Sequence, residues 1–313
     1  MRTRALRDIG GIGPELAEDF STSFLLNTAG WHGAFAIDAE AHGDGPNTFP
    51  AMLVQEFQWS RSLTVVLLGL VPRNISRLSW GLRFRFCYSL IFYFLLVLST
   101  AGGLILAPVA AATGRPWMNV NYPVFLAHWW SISIWLILLT LLLRRKGMLR
   151  PRNAPILSWE NWLYTLTRWP YIAWGIFAAF LQVMRPRPVT FKVTPKAAGS
   201  LERFPLRLIV PYLVLCALSS AAAVVGEATN NAAGYVFLCI AAATTYAVVS
   251  MVVPLLHAAE AAANAGERFG FALWRTARLP LFMALLGLLP VALAAARYPV
   301  YLTHVFPDWS FWL

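Results

Sequence analysis

Three short stretches of this chain carry residue types that can do chemistry. Gly10-Gly11-Ile12-Gly13-Pro14-Glu15-Leu16-Ala17-Glu18-Asp19 ends in an acidic pair where a helix is expected to begin. Gln55-Glu56-Phe57-Gln58-Trp59 sets two amides and an indole on neighbouring turns of an amphipathic run. Phe191-Lys192-Val193-Thr194-Pro195-Lys196 lies in a basic loop punctuated by proline. A positioned carboxylate such as Asp19 can take a proton from an attacking hydroxyl, a contribution of about 100- to 10,000-fold. The Trp59 indole offers a flat face to a ring ligand whose edge stays wet. Gln55 can bond ligand oxygens, and Lys192, Thr194 and Lys196 can meet anionic oxygens. Each also has a plainer role: a helix cap for Asp19, an interface anchor for Trp59, a solvated basic linker for the loop.

The elements that must hold these groups are mostly apolar. Of 313 residues, 58% are hydrophobic and only 12% charged, against about 25% charged in soluble domains, so the chain is predicted to be an integral membrane protein. The net charge of +11 sits in loops between apolar runs, which fits membrane orientation and not nucleic-acid binding. Cys87, Cys216 and Cys239 are odd in number and lie in apolar runs, so neither a disulfide framework nor a cysteine metal site is expected. The basic start Met1-Arg2-Thr3-Arg4 is followed by no apolar stretch, so no cleavable signal is read there.

Five spans are expected, over about Phe86–Ala112, Tyr122–Leu143, Leu206–Val225, Ala233–Leu256 and Leu279–Ala296, each near the 20 residues a bilayer core requires. Pro290 suggests a kink in the last. Before them, residues 1–47 read as a small α/β piece: a helix capped by Asp19 and Ser21 that ends at Gly30, a strand over Gly33–Ile37, and a turn at Gly43–Asn47. An amphipathic helix follows over Thr48–Leu70, broken at Val71-Pro72-Arg73-Asn74. Trp159–Met184 is long enough to cross, yet basic residues flank it on both sides: Arg144, Arg145, Lys146, Arg150 and Arg152 before, and Arg185, Arg187, Lys192, Lys196, Arg203 and Arg207 after. The positive-inside rule keeps both flanks in the cytoplasm, so it is read as an interfacial helix kinked at Pro170. Five crossings put the N-terminus inside. His128 and His257 lack an acidic partner within the spans and read as structural. Trp309, Phe311 and Trp312 look like an interfacial anchor.

In their order and spacing, Ala17-Glu18-Asp19, Gln55-Glu56-Phe57-Gln58-Trp59 and Phe191-Lys192-Val193-Thr194-Pro195-Lys196 resemble the acidic motif, the Gln-x-x-Arg-Trp motif and the Phe-x-Val-Thr-x-Lys gating loop of membrane-embedded family 2 glycosyltransferases, the cellulose-synthase-like enzymes. The resemblance runs from roughly Gly10 to Asn264. It implies a mainly α polytopic bundle with interfacial helices and a short α/β remnant of a GT-A-type catalytic domain. It also implies an inverting hexosyltransferase-type enzyme passing sugar from a nucleotide sugar to a growing polysaccharide, which leaves through the bundle. Asp19 would be the base. Gln55, Gln58 and Trp59 would hold the acceptor, and Arg61, Phe191, Lys192, Val193, Thr194 and Lys196 the donor diphosphate or its gate. The family's arginine is Gln58 here, with Arg61 about one turn along as its substitute.

The domains expected are 1–47, the end of a cytoplasmic catalytic domain; 48–80, the amphipathic region; and 81–313, the bundle with interface helix 159–184 and gating-type loop 185–200. The family's nucleotide and metal motifs precede the acidic pair, so the chain reads as the C-terminal part of such an enzyme, inactive alone. Mg²⁺ or Mn²⁺ is expected for the complete enzyme, bound by residues other than these; Asp38-Ala39-Glu40 is the nearest acidic spacing present. The partners implied are a nucleotide-sugar donor, a glycan acceptor, the bilayer of the cell's inner membrane and a donor-binding domain. A non-enzymatic channel or scaffold subunit is the competing reading.

Overall fold

Apolar runs of roughly twenty residues satisfy every backbone hydrogen bond internally only as helices, and helices are what the chain forms. A computed structural model describes residues 1–34, 36, 39, 43, 45, 46, 48–115, 122–186, 201–229 and 233–297. The helices are α1 (Thr3–Asp8), α2 (Glu18–Thr28), α3 (Phe49–Val65), α4 (Val71–Asn74), α5 (Trp80–Thr113), α6 (Tyr122–Arg145), α7 (Trp159–Met184), α8 (Val210–Ala228), α9 (Ala233–Ala265), α10 (Phe269–Thr276) and α11 (Arg278–Arg297). Five of them, α5, α6, α8, α9 and α11, contain stretches long and apolar enough to cross a membrane, matching the five runs expected. The protein is a mainly α, polytopic helix bundle.

The chain divides into two units. The first comprises Met1–Gly103, Arg168–Pro211 and Met251–Phe282. Here Phe24 of α2 is fully buried against Val66, Val71, Leu78 and Leu90, and the Phe20 and Phe24 rings meet Phe86 edge-on at 5.4 and 5.2 Å. Burying one such ring contributes about 1.5–3 kcal/mol, so Phe24 anchors the short α2. α3 starts under a double cap: the Thr48 hydroxyl accepts from Ala51 N, Pro50 sits in the first turn, and the Glu260 carboxylate of α9 accepts from Phe49 N at 3.0 Å. It crosses α7 at Gly175, where an added Cβ would come 2.7 Å from the Phe57 carbonyl oxygen. Beside the crossing, Leu63 packs with Tyr93, Ile172 and Ile176.

The second unit comprises Leu104–Thr167, Tyr212–Ser250 and Met283–Leu313. Its core is made of small residues: Ala107, Ala111, Ala223, Val236, Cys239, Ile240 and Ala294. A Cβ at Gly226 would lie 2.9 Å from that of Ala111, so α5 and α8 touch almost backbone to backbone, as membrane helices do where no water drives them together. The Tyr212 hydroxyl donates to Thr167 O at 2.8 Å and its ring stacks on Tyr246. In contrast, Ala127–Arg145 of α6 contains no buried residue, and Trp130, Ile132 and Trp135 stand exposed, as suits a helix solvated by lipid.

Some expected details change. α2 begins after Ala17, which lends no side-chain cap; Asp19 lies inside the first turn and Ser21 is buried within the helix. Gly30 has the positive φ of +86° that ends the segment. Among the described residues there is no strand: Gly33, Ala34 and Ala36 are irregular, while Phe35 and Ile37 lie outside the described residues. A lone strand has no partner to complete its hydrogen bonds. The break expected at Val71–Asn74 falls later. α3 widens into a π turn over Val66–Leu70, α4 follows through Pro72, and a 3₁₀ turn at Ile75–Arg77 ends the run. Pro72 supplies no N–H and crowds the carbonyl four residues back, so the widened turn sits where the proline needs it. α7 and α11 are continuous through Pro170 and Pro290. α9 runs past Leu256 on an alanine-rich tail, since alanine is the best helix former, and stops at Gly266 with φ +67°.

Candidate active site

Helical spacing sorts α3 into two faces. Gln55, Gln58, Trp59 and Ser62 recur at i, i+3, i+4 and i+7, so they share one side. Trp59 is 44% exposed, leaving much of its ring open. Ser62, one turn further on, is buried, and its Oγ accepts from Ala17 N at 2.8 Å. Ala17 immediately precedes Glu18 and Asp19 at the start of α2. One buried hydrogen bond therefore fastens the start of the acidic helix to the Gln/Gln/Trp face, across 45 residues of sequence.

The glycine-rich stretch explains how the chain reaches that point. Gly10 and Gly11 hold φ of +82° and +112°, which only glycine adopts readily. Gly13 lies so close to α2 that a Cβ would come 2.8 Å from Thr22 N, and its own N–H donates to Thr22 Oγ1 at 2.8 Å. The segment thus folds back over the first turns of α2. Asp19 itself is exposed, and its Oδ1 accepts from Phe20 N at 2.7 Å. Asp19 is thus an accessible side chain at the open end of α2.

The opposite face of α3 is structural. Glu56 is 2% exposed and lies 3.7 Å from Arg168 of α7, while Ser60 and Thr64 are buried in the same direction. The Arg61 guanidinium lies over the Phe57 ring at 5.8 Å. Burial pushes the Glu15 carboxyl above its ordinary value, and the Arg61 charge opposes that rise. His257 is buried, its Nε2 donating to the Glu202 carbonyl at 3.0 Å and its ring against Phe204, a structural setting.

The structure thus gathers Gln55, Gln58 and Trp59 on one face, ties that face to the start of the helix carrying Asp19, and sets Arg61 over Phe57. Phe191, Lys192, Val193, Thr194 and Lys196 lie outside the described residues, as do Asp38, Glu40 and Trp309 to Trp312. Sequence reasoning missed Ser62, Arg168 and the Glu56 pairing. The available signal was Glu56 itself, a carboxylate one residue off the polar stripe and hence aimed at a helix neighbour. Among the described residues no three His, Cys, Asp or Glu side chains gather as a metal ion would need. The described residues do not fit the expected cation.

Residues 1–144 match the family described as Glycosyl transferase family group 2. The match takes in Asp19, Gln55, Gln58, Trp59 and Arg61, and makes this region family 2 glycosyltransferase-like, with glycosyl transfer the activity it supports. No curated protein and no solved structure matches the chain.

Proposed function

We propose that the protein is a cellulose-synthase-like, membrane-embedded glycosyltransferase whose described helices build the acceptor side of the reaction. A sugar ring stacks on Trp59, with Gln55 and Gln58 bonding its hydroxyls. The acceptor oxygen bonds to the donor's anomeric carbon as the bond from that carbon to the nucleoside diphosphate breaks. The electron pair leaves with the diphosphate, and the hydroxyl proton passes to the Asp19 carboxylate. Attack opposite the leaving group inverts the anomeric centre. Arg61 and the 191–196 motif serve the donor diphosphate or its gate, a donor-binding domain supplies the nucleotide and cation sites, and the product leaves through the bundle. The protein lies in the inner membrane with its N-terminus in the cytoplasm.

The observation that carries this reading is the buried Ala17 N to Ser62 Oγ bond, because it joins a base and a stacking surface that the sequence keeps apart. Sugar transfer from a radiolabelled nucleotide sugar tests it, in membranes where the chain is joined to a family 2 donor-binding domain. Asp19→Asn is expected to lose about 100- to 10,000-fold in rate while inserting normally. Trp59→Ala is expected to weaken acceptor use roughly two- to tenfold, the equivalent of about 0.5–1.5 kcal/mol of stacking. Wild-type rates from Asp19→Asn would rule out Asp19 as the base, whereas no transfer at all by the wild-type chain would leave the channel or scaffold reading in its place.

A further inference from the structure

Away from α2 and α3, the first unit contains a small basic cavity. It is lined by Leu201, Arg203, Trp274, Arg275 and Arg278, with a volume of about 100 Å³, several times the roughly 10–15 Å³ that one water needs by a similar measure. Its two walls are fixed to each other: Phe204, 3% exposed, donates its N–H to Thr276 O at 2.9 Å, and Ala272, Thr276 and Ala277 are buried beneath. Arg278 is held in place by lying over the Trp274 ring at 4.9 Å. Arg203, Arg275 and Arg278 are exposed, and none has a carboxylate partner among the described residues. Three guanidiniums around one cavity repel one another unless an anion sits among them, and their planar forks match phosphate oxygens.

The position of the cavity specifies which phosphate. Arg278 is the first residue of α11, whose 20 residues extend about 30 Å, the thickness of a bilayer core. Arg278 and Arg297 therefore mark the two edges of the hydrocarbon. Directly before it, α10 exposes Phe269, Phe271 and Trp274 by 47%, 49% and 63%, side chains suited to a helix lying in the headgroup layer. Arginine at a helix end serves the helix dipole or snorkelling equally well, but neither of those roles brings a third guanidinium from the remote Leu201–Phe204 segment to the same cavity.

We propose that this cavity binds a phosphate group, presented by an anionic phospholipid at the membrane surface. The site stands apart from glycosyl transfer and is read by binding alone. The full chain, delipidated in a neutral detergent, is titrated with phosphatidylglycerol and the bound lipid counted by native mass spectrometry. One lipid per chain is expected, with affinity at least about tenfold weaker in the R203Q/R275Q double variant, as loss of charge-assisted hydrogen bonds dictates, and unchanged in R297Q at the other end of α11. R203K/R275K keeps the charge but loses the planar forks and is expected to bind between wild type and R203Q/R275Q, and R278Q alone is expected to weaken binding should the double variant fold poorly. Inorganic phosphate is titrated in parallel. Variant-sensitive lipid binding that inorganic phosphate does not displace supports the lipid source, whereas variant-sensitive displacement supports the same phosphate site filled from solution. Equal binding in wild type, R203Q/R275Q and R278Q, or an equal loss in R297Q, would overturn the proposal.

Discussion

Replacing Gly175 with alanine tests how α7 is registered against α3. The new Cβ would meet the Ser60 hydroxyl, the Phe57 carbonyl oxygen at 2.7 Å and Arg61 N at 3.2 Å. The hydroxyl can rotate aside at the loss of its bond to Phe57 O, but the carbonyl is fixed in the helix. Relief requires the helices to part by about 0.7 Å, the gap between 2.7 Å and the 3.4 Å where ordinary contact begins. Overpacking of that kind costs about 1–3 kcal/mol, while alanine in a helix gains about 1 kcal/mol over glycine. Gly103 in α5 separates the two effects, since nothing lies within 4 Å of a Cβ there. Gly103→Ala should keep the propensity gain alone, so Gly175→Ala should be less stable than Gly103→Ala by about 1–3 kcal/mol. Unfolding of the detergent-solubilised protein followed by far-UV circular dichroism measures both. Equal stabilisation by the two substitutions would refute the close crossing, and with it the Glu56–Arg168 pairing that the crossing brings together.

Glu15 gives a pH dependence. A carboxyl whose folded-state value is raised above its ordinary 4.5 binds its proton more tightly when folded, so stability is highest below that value, falls as pH rises through the raised one, and is flat above it. Glu15→Gln should remove this slope and Arg61→Gln should steepen it, both visible in unfolding midpoints across the mildly acidic range; an unchanged slope in Glu15→Gln would assign it to another group. The topology makes a separate prediction: with Cys87, Cys216 and Cys239 replaced, Ser158→Cys and Ser200→Cys should be protected from a membrane-impermeant maleimide added outside intact cells. Strong external labelling of either would place the flanks of α7 on the wrong side.

The spans were legible because twenty apolar residues in a row have few alternatives. Helix ends were less so. Where α9 stops depends on alanines that are indifferent to lipid or water, and α10 is too short to announce itself by periodicity. The Val71–Asn74 segment reads as a break because Pro72 is there, yet a widened turn upstream absorbs the missing N–H. That Gln55, Gln58 and Trp59 share one face of α3 followed from spacing alone. The connection of that face to Asp19 did not, because Ser62 and Ala17 are unremarkable residue types whose pairing depends on how α2 packs its Phe24 into the core. Nor does Glu56 reveal Arg168, whose approach is set by a glycine on a helix more than a hundred residues away.

The cap on α3 has a consequence for biogenesis. The carboxylate that closes the first turn at Phe49 comes from Glu260, 211 residues downstream. At synthesis rates of about 5–20 residues per second, roughly 10–40 seconds separate the two leaving the ribosome's catalytic centre. During that interval α3 carries Gln55, Gln58 and Trp59 on a helix whose start is only locally capped, while three later spans are still being delivered to the membrane. Ordering of the Gln/Gln/Trp face is thereby tied to arrival of α9, so a nascent chain arrested before its fourth span holds these residues without the last bond that orders their helix.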